Sequence, residues 1–287
     1  ANVAVSLAQL GDKVEYVTSV PDNLIGDAAL NHLRQLGVDV SHVVRMGKRL
    51  GAYYFEPSAS LRNTNVVYDR DDSSFNTLSH GDIDWASVFS DATLFHCSGI
   101  TCATSRDALE TTMDAVQLAH ERGIELTCDI NYRSSLWKYP GADARKSIQE
   151  LMKYSEFVFG DQNEWYVASG LEPIPFTALD ASYQFDLDAY RRYFDKIHKM
   201  FPNCRRMLVA HRNQLSFQHH VNAAVLWAEG EIYTSRIWDV NPIVDQMGVG
   251  DAWVAAFIHT RHKWPDDDQH CLEFAVSASA LKNTIPG

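Results

Sequence analysis

The order in which strand and helix patterns follow one another limits the fold of this chain more than any other feature. From residue 93 to residue 210, short apolar runs typical of buried strands alternate with longer stretches of helical periodicity. The predicted strands cover residues 93–97, 124–130, 157–159 and 207–210, and the predicted helices cover residues 105–122, 144–154 and 187–200. This alternation predicts an α/β protein with a mostly parallel central sheet, because crossover helices join parallel neighbours and cover both faces.

The two ends of the chain fit the same plan. Near the N-terminus we predict a helix at residues 3–10, a strand at 14–20, a second helix with Asp22 as its N-cap, and a strand at 38–44. Near the C-terminus, strand patterns at 223–227 and 232–237 form a hairpin-like pair, and helices begin near residues 252 and 269. One large domain therefore accounts for most of the chain.

Residues 51–70 interrupt the alternation. Two β-rich stretches, AYYFEP and NTNVVYDR, are joined by a polar loop and predict a hairpin. We therefore divide the chain into a large α/β domain, residues 1–45 and 74–287, and a small β lid, residues 46–73. Ligands of such folds bind at the carboxyl ends of the parallel strands, so functional residues are expected there.

Composition and charge exclude several classes of protein. The 287 residues are 46% apolar and 22% charged, which is ordinary for a globular domain, and the net charge of -12 argues against a nucleic-acid partner. No apolar run is long enough to cross a membrane, and the N-terminus shows no secretory signal. Five cysteines without a CxxC pair predict free buried thiols, so we expect a cytoplasmic protein.

The strongest candidate for chemistry is DQMGVGDAWVAAFIH, residues 245–259, where Gly248 and Gly250 precede Asp251 and an apolar helical pattern. Glycines before a helix let backbone N–H groups converge, and the helix dipole favours an anion such as a phosphate oxygen there. An aspartate beside that anion makes sense as a base that faces a hydroxyl group. The alternatives are a chance GxGD sequence or an aspartate that only caps the helix. Neither GxxxxGK[ST] nor GxGxxG occurs, which excludes a P-loop enzyme and weakens a dinucleotide interpretation.

Two signatures at opposite ends of the chain resemble those of the ribokinase-like (PfkB-type) carbohydrate kinases. DQMGVGDAWVAAF resembles the family's D-T-x-G-A-G-D-x-F, and ANVAVSLAQLG resembles its N-terminal signature, in which a Gly-Gly pair precedes A-x-N-x-A. The segments YDRDDSS, HCSGIT, DINYRSSLW and ALKNTIPG are most similar to 2-keto-3-deoxygluconate kinases. The resemblance covers nearly the whole chain and implies a ribokinase-like three-layer α/β/α sandwich with a β-sheet lid. No Gly-Gly pair precedes Ala1, so we expect the family's N-terminal lid segment and first strand to lie outside this sequence.

The resemblance implies roles on the donor side of the site. Asp251 would be the catalytic base, beside an anion hole formed by the residues before it. The residues assigned to catalysis are Asp251, Gly248, Val249 and Gly250. The family's Asn-x-x-Glu falls on residues 161–164, so that Asp161, Glu164 and Arg212 would contact the nucleotide and Glu164 would hold Mg²⁺ through water. ATP and Mg²⁺ are the implied cofactors, and dependence on a monovalent cation stays open.

For the sugar, the resemblance implies six residues: Asn2, Tyr53, Tyr68, Arg70, Ile100 and Arg133. The two arginines are the informative ones, because a 2-keto-3-deoxy sugar acid carries a carboxylate and a guanidinium group binds a carboxylate through paired hydrogen bonds. The alternatives are a surface ion pair for Arg133 and simple packing within the lid for Tyr53.

The expected activity is therefore transfer of the γ-phosphate of ATP to the C6 hydroxyl of 2-keto-3-deoxygluconate or a similar sugar acid. Three alternatives stay open: a kinase for a neutral ketose such as fructose, a nucleoside kinase, and a non-catalytic sugar-binding relative. Asp161 and Gln246, which replace residues usual in the family, are the features that speak for the last. Relatives often pair their lid sheets between subunits, so the resemblance also implies a homodimer or higher homo-oligomer through the lid.

Overall fold

A computed structural model of the chain describes residues 1–57 and 65–286. Its helices are α1 (Asn2–Gln9), α2 (Leu24–Gln35), α3 (Trp85–Val88), α4 (Gly99–Cys102), α5 (Arg106–Glu121), α6 (Ala144–Tyr154), α7 (Gln162–Ser169), α8 (Leu187–Met200), α9 (Val249–Lys263) and α10 (Asp268–Lys282). Its strands are β1 (Ser19–Val20), β2 (Val44–Arg45), β3 (Ala52–Glu56), β4 (Asn65–Asp69), β5 (Leu94–Ser98), β6 (Glu125–Asp129), β7 (Phe157–Asp161), β8 (Arg206–Ser216), β9 (His219–Ala228), β10 (Glu231–Thr234) and β11 (Trp238–Val240). The predicted alternation between residues 93 and 210 is confirmed, and α7 is a helix that the sequence patterns did not predict.

The large sheet is mixed. Its strand order is β10-β9-β8-β7-β6-β5, with β11 pairing with β9. Strands β5 to β8 are parallel, as predicted, whereas β9 runs antiparallel to β8, β10 and β11. Strand β8 extends far beyond the predicted residues 207–210, because a tight turn returns the chain directly into β9 and both strands continue to pair.

Neighbouring residues of the central strands point to opposite faces of the sheet and fill two apolar layers. On one face Phe159 packs edge-to-face against Trp253 and Phe257 of α9. On the other face Val158 packs with Trp165 of α7 and with residues of α6 and α8. Burial of each such side chain contributes roughly 1.5–3 kcal/mol. The predicted three-layer α/β/α sandwich is therefore confirmed, and its core fixes where α7 and α9 begin.

The N-terminal segment contains less strand than predicted. Strands β1 and β2 form a separate two-stranded parallel sheet, and one further bridge joins Glu15 to Asp39. The predicted strands at 14–20 and 38–44 are therefore too long. Their apolar residues are buried against α1 and α2 instead, since Val20, Val38 and Val40 share a cluster with Leu30 and Leu33 of α2.

The predicted N-cap of α2 is also wrong. Asn23, not Asp22, accepts hydrogen bonds from the N–H groups of Ile25 and Gly26. Asp22 instead pairs with Arg45 at 3.2 Å. Aspartate and asparagine can both cap a helix, so the sequence alone does not decide which of the two adjacent residues is the N-cap.

The lid forms a two-stranded antiparallel sheet that pairs with no other strand among the described residues. Tyr53 lies opposite Tyr68, and Tyr54 lies opposite Val67. The two pairs point to opposite faces, since successive side chains of a strand alternate. Residues 58–64, which belong to the predicted lid, lie outside the described residues, and the lid boundaries at 46 and 73 stay a prediction.

Two expectations from composition can be compared with the structure. Among the described residues no helix is long and apolar enough to cross a membrane. All five cysteines are free and buried, as predicted.

Candidate active site

A cleft opens where the parallel strands β6, β7 and β8 end and helix α9 begins, which is where ligands of such sheets bind. Its cavity has a volume of about 610 Å³. Most of the predicted site residues line it, namely Asn2, Arg133, Asp161, Glu164, Arg212, Gly248, Val249, Gly250 and Asp251. The cavity does not include four of the predicted sugar residues, Tyr53, Tyr68, Arg70 and Ile100.

The start of α9 is shaped by Gly248, which adopts a left-handed conformation with φ 74° and ψ 4°. A glycine suits this position because a Cβ atom strains that conformation. No side chain caps the helix, and the first N–H groups of a helix have no partner within it. The amides of Val249 and Gly250 therefore lie at the positive end of the helix dipole, beside the cavity. This arrangement can bind an anionic oxygen.

Asp251 follows in the first turn of α9 and lines the same cavity. Its Oδ2 atom accepts a hydrogen bond of 3.0 Å from Nδ2 of Asn2, at the start of α1. The contact fixes one of the two carboxylate oxygens. The structure thus places Asn2, a predicted sugar residue, as a direct partner of the predicted base.

Helix α7 begins with a capping box between Asp161 and Glu164. Oδ1 of Asp161 accepts from the Glu164 N–H, and Oε2 of Glu164 accepts from the Asp161 N–H, both at 2.8 Å. The side chain of Glu164 is only 10% exposed. Burial, together with the nearby Asp161, raises the pKa of Glu164 to about 7. Asp161 therefore orders the start of α7, in the position where the family usually has asparagine.

Arg133 follows β6, the strand next to β7, and contacts Glu164 directly. Its Nη1 atom lies 3.1 Å from Oε1 of Glu164 and also donates to the carbonyl of Tyr132. The side chain of Arg133 is 44% exposed, so one side of the guanidinium group remains accessible. The ion pair that was the alternative interpretation of Arg133 therefore exists, but inside the cleft.

Asp129, at the end of β6, is a cleft residue that the sequence analysis missed. Burial, followed by the nearby charges of Glu164 and Asp251, raises the pKa of Asp129 well above its usual range, and Arg133 opposes the shift. The signal for this residue was present in DINYR, because a carboxylate that directly ends a buried strand lies at the binding edge of the sheet.

Three of the predicted sugar residues, Tyr53, Tyr68 and Arg70, lie in or directly after the two strands of the lid. The guanidinium group of Arg70 lies over the ring of Tyr68, 4.8 Å from its centre. Tyr53 pairs in register with Tyr68, so the two side chains lie on the same face of the lid. Ile100 lies in α4, which follows β5.

Strands β8 and β9 wall the side of the cleft that the family resemblance assigns to the phosphate donor. Arg212 pairs in register with Asn222, so both project from the same face of the sheet, and His220 lies two residues further along that face. Burial, with smaller contributions from Arg212 and His219, lowers the pKa of His220 to about 4. His220 is therefore a neutral polar group, and His220 and Asn222 are two lining residues of this wall that sequence reasoning did not find.

A magnesium ion would meet a limited set of ligands here. The described residues contain no group of three or more His, Cys, Asp or Glu side chains that could hold a metal ion. Both oxygens of Glu164 already accept hydrogen bonds. Because Mg²⁺ prefers oxygen ligands and keeps several of its waters, the donor set fits a hydrated ion held by Glu164 through water.

The fold and the start of α9 together define a class of protein. N–H groups beside a carboxylate, at the carboxyl edge of a sheet without a P-loop, suit transfer of a phosphoryl group to a hydroxyl. The pfkB family carbohydrate kinase model matches residues 1–205. The chain therefore belongs to this family and is a carbohydrate kinase.

Three proteins illustrate what the chain is similar to. It is 28% identical to a 2-dehydro-3-deoxygalactonokinase of Haloferax volcanii, in a match that covers 100% of this chain and 81% of the relative. It is 26% identical to a 2-dehydro-3-deoxygluconokinase of Thermoproteus tenax, over 100% of this chain and 79% of the relative. The crystal structure of a 2-dehydro-3-deoxygluconokinase from Thermotoga maritima matches with a TM-score of 0.88 and 31% identity, covering 100% of this chain and 84% of that one.

Proposed function

We propose that this carbohydrate kinase transfers the γ-phosphate of ATP to the C6 hydroxyl of 2-keto-3-deoxygluconate or a similar sugar acid. The observation that carries the proposal is the position of Asp251 beside the uncapped start of α9. The names of the relatives from Haloferax volcanii and Thermoproteus tenax support a 2-keto-3-deoxy sugar acid as the substrate.

Asp251 acts as the general base in this mechanism. Its Oδ1 accepts the proton of the sugar hydroxyl while the hydroxyl oxygen forms a bond to the γ-phosphorus. The bond between the γ-phosphorus and the bridging oxygen breaks at the same stage, and ADP leaves with the electron pair. Asn2 keeps the carboxylate oriented by its hydrogen bond to Oδ2.

The start of α9 stabilises the charge of the transferred group. The N–H groups of Val249 and Gly250 point to the cavity from the positive end of the helix, so they can bind the equatorial oxygens in flight. Arg212 supplies a positive charge on the donor wall. Glu164 would hold Mg²⁺ through water, and the ion would neutralise part of the triphosphate charge when bound.

Two arginines favour an acidic sugar over a neutral one. Arg133 lines the cavity, and Arg70 lies on the lid beside Tyr68. A guanidinium group binds a carboxylate through two parallel hydrogen bonds. A neutral ketose has no carboxylate that could accept them. We further propose that the lid closes over the sugar and excludes water, and that lid sheets pair between subunits in a homo-oligomer.

The test is an ATP-coupled assay with a panel of sugars. We expect turnover with 2-keto-3-deoxygluconate or 2-keto-3-deoxygalactonate, and little with fructose or adenosine. The Arg133→Met variant should lose activity selectively with the acids, whereas equal loss with acidic and neutral sugars would remove the carboxylate role of Arg133. Preference for fructose would establish the neutral-ketose alternative, and absence of turnover with every sugar would favour a non-catalytic relative.

A further inference from the structure

The ion pair between Arg133 and Glu164 connects the two halves of the cleft. Arg133 follows β6 on the side assigned to the sugar, and Glu164 lies in the first turn of α7, on the side assigned to the nucleotide. Because β6 and β7 are adjacent parallel strands, their carboxyl ends bring these residues to 3.1 Å although 31 positions separate them in the sequence. A change in the charge or position of one of these two residues therefore acts directly on the other.

Arg133 already has a partner in the structure. Its Nη1 atom contacts Glu164 and the carbonyl of Tyr132. The guanidinium group also counters Asp129, the buried carboxylate at the end of β6. Asp129, Glu164 and Asp251 all line this part of the cleft.

A sugar carboxylate that enters this cleft meets two obstacles. It must compete with Glu164 for Arg133, and it brings one more negative charge towards Asp251 and Glu164. Opposite charges interact strongly in such a partly buried site, and like charges repel to a similar degree. Both obstacles weaken if Glu164 gains another cationic partner.

We propose that Glu164 is a positioning residue that retains Arg133 until the magnesium–nucleotide complex is bound, so that the donor and the sugar acid bind with positive cooperativity. The inference rests on the proposed function, because it takes MgATP as the donor and a sugar acid as the acceptor. Glu164 exchanges Arg133 for the hydrated cation, and Arg133 turns its free N–H groups to the sugar carboxylate.

Linkage gives this exchange a measurable form. If the nucleotide raises the affinity for the sugar acid by a given factor, the sugar acid raises the affinity for the nucleotide by the same factor. We expect a factor of about 5–150, the usual range for coupling between two sites. The wild-type chain should show it in calorimetric titrations of 2-keto-3-deoxygluconate, without nucleotide and with Mg²⁺ plus a non-hydrolysable β,γ-imido ATP analogue at saturation.

The variant Glu164→Gln should release Arg133 without any nucleotide, and so tests the exchange of partners by itself. Glutamine at this position keeps the capping box with Asp161, since either residue type closes it, but it cannot hold the Arg133 charge. In the absence of nucleotide, the variant should bind the sugar acid at least about fivefold more tightly than the wild type. The matched control is Glu229→Gln, which removes the carboxylate of the Arg205–Glu229 pair at the opposite end of β8 and should change nothing.

A double variant shows whether the gain acts through Arg133. If Glu164 only repels the sugar acid, Glu164→Gln strengthens binding equally in an Arg133→Met background. If Glu164 acts by retaining Arg133, the gain disappears in that background, as we expect.

Three results would overturn the inference: no nucleotide effect on sugar-acid affinity in the wild type, no gain in nucleotide-free Glu164→Gln, or an equal gain without Arg133. If the wild type still phosphorylates the sugar acid, these results leave the proposed function intact. If the sugar acid is neither bound nor phosphorylated, the proposed function itself fails and the inference falls with it.

Discussion

The wall of the cleft that we assign to the phosphate and the lid that we assign to the sugar are built in different ways. The wall consists of the ends of buried strands and the starts of α7 and α9, which the core holds through residues such as Phe159 and Trp253. The lid is a two-stranded sheet that pairs only with itself among the described residues, and its Tyr54 side chain is 64% exposed. Two-stranded sheets are only marginally stable by themselves.

This difference separates two tasks. Charge stabilisation needs groups fixed before the reaction, because reorientation during the reaction would cost free energy. Sugar recognition benefits from a part that moves, because the sugar must enter before water is excluded. Substitutions in the wall should therefore lower kcat, whereas substitutions in the lid should raise KM.

The largest effect is expected at Asp251. Asp251→Asn keeps the size of the side chain and its contact with Asn2 but removes the base. We expect kcat to fall by about a thousandfold, within the 10²–10⁴ range of general-base effects. The control Asp267→Asn changes the N-cap of the neighbouring helix α10 and should leave kcat unchanged. A variant of Asp251 with near-normal turnover would end the assignment of the base.

Gly248→Ala should give the next largest effect. The added Cβ would meet only Lys282 and Asn2, at 3.8 Å and 3.9 Å, so the cost comes from the positive φ rather than from a clash. A left-handed alanine costs about 1–2 kcal/mol, and a shift of the α9 amides should lower kcat about a hundredfold.

Gly123→Ala is the matched control for that variant. Gly123 has a φ of +69° and open space around its Cβ position, but it lies outside the cleft. Thermal unfolding should show a similar loss of stability for both variants, with loss of kcat only for Gly248→Ala. Equal kcat values would show that the start of α9 does not carry the catalysis.

The wall could be predicted from sequence where its signal is local. Gly248, Gly250 and Asp251 lie within four successive residues, so their position together at the start of a helix follows from neighbouring residues alone. Helix α7 was missed because its buried face includes Glu164 and Ser169, which breaks the apolar periodicity on which helix prediction depends. The contact between Arg133 and Glu164 depends on the order of strands in the sheet, which no local pattern specifies.

Glu164 also makes the wall sensitive to pH. Its pKa is about 7 in the folded chain, because of burial, whereas an exposed glutamate has a pKa of 4.5. The folded state therefore keeps a proton that the unfolded state loses as pH rises between these values, and wild-type stability falls across this window. Glu164→Gln removes that loss, so its stability relative to the wild type should rise by about 2 kcal/mol from about pH 5 to about pH 8.

Urea unfolding of both proteins at the two pH values measures this difference. Glu229→Gln serves again as the control, because Arg205 lowers the pKa of Glu229 and the sign of any pH effect is reversed. If the stability of Glu164→Gln differs from that of the wild type by the same amount at both pH values, the pKa of Glu164 is not raised in the folded chain.

The smallest effect is expected in the lid, where two adjacent tyrosines allow a direct comparison of its faces. Tyr53 shares a face with Tyr68, the other tyrosine assigned to the sugar, whereas Tyr54 points to the other face with Val67. Loss of one hydroxyl hydrogen bond to the sugar is worth about 1 kcal/mol, so Tyr53→Phe should raise the KM for the sugar acid about fivefold with kcat nearly unchanged. Tyr54→Phe should change neither constant. A fall in kcat in Tyr53→Phe, or an equal rise in KM in both variants, would contradict this division of tasks. The lid would then not serve sugar recognition alone, or its two faces would not differ.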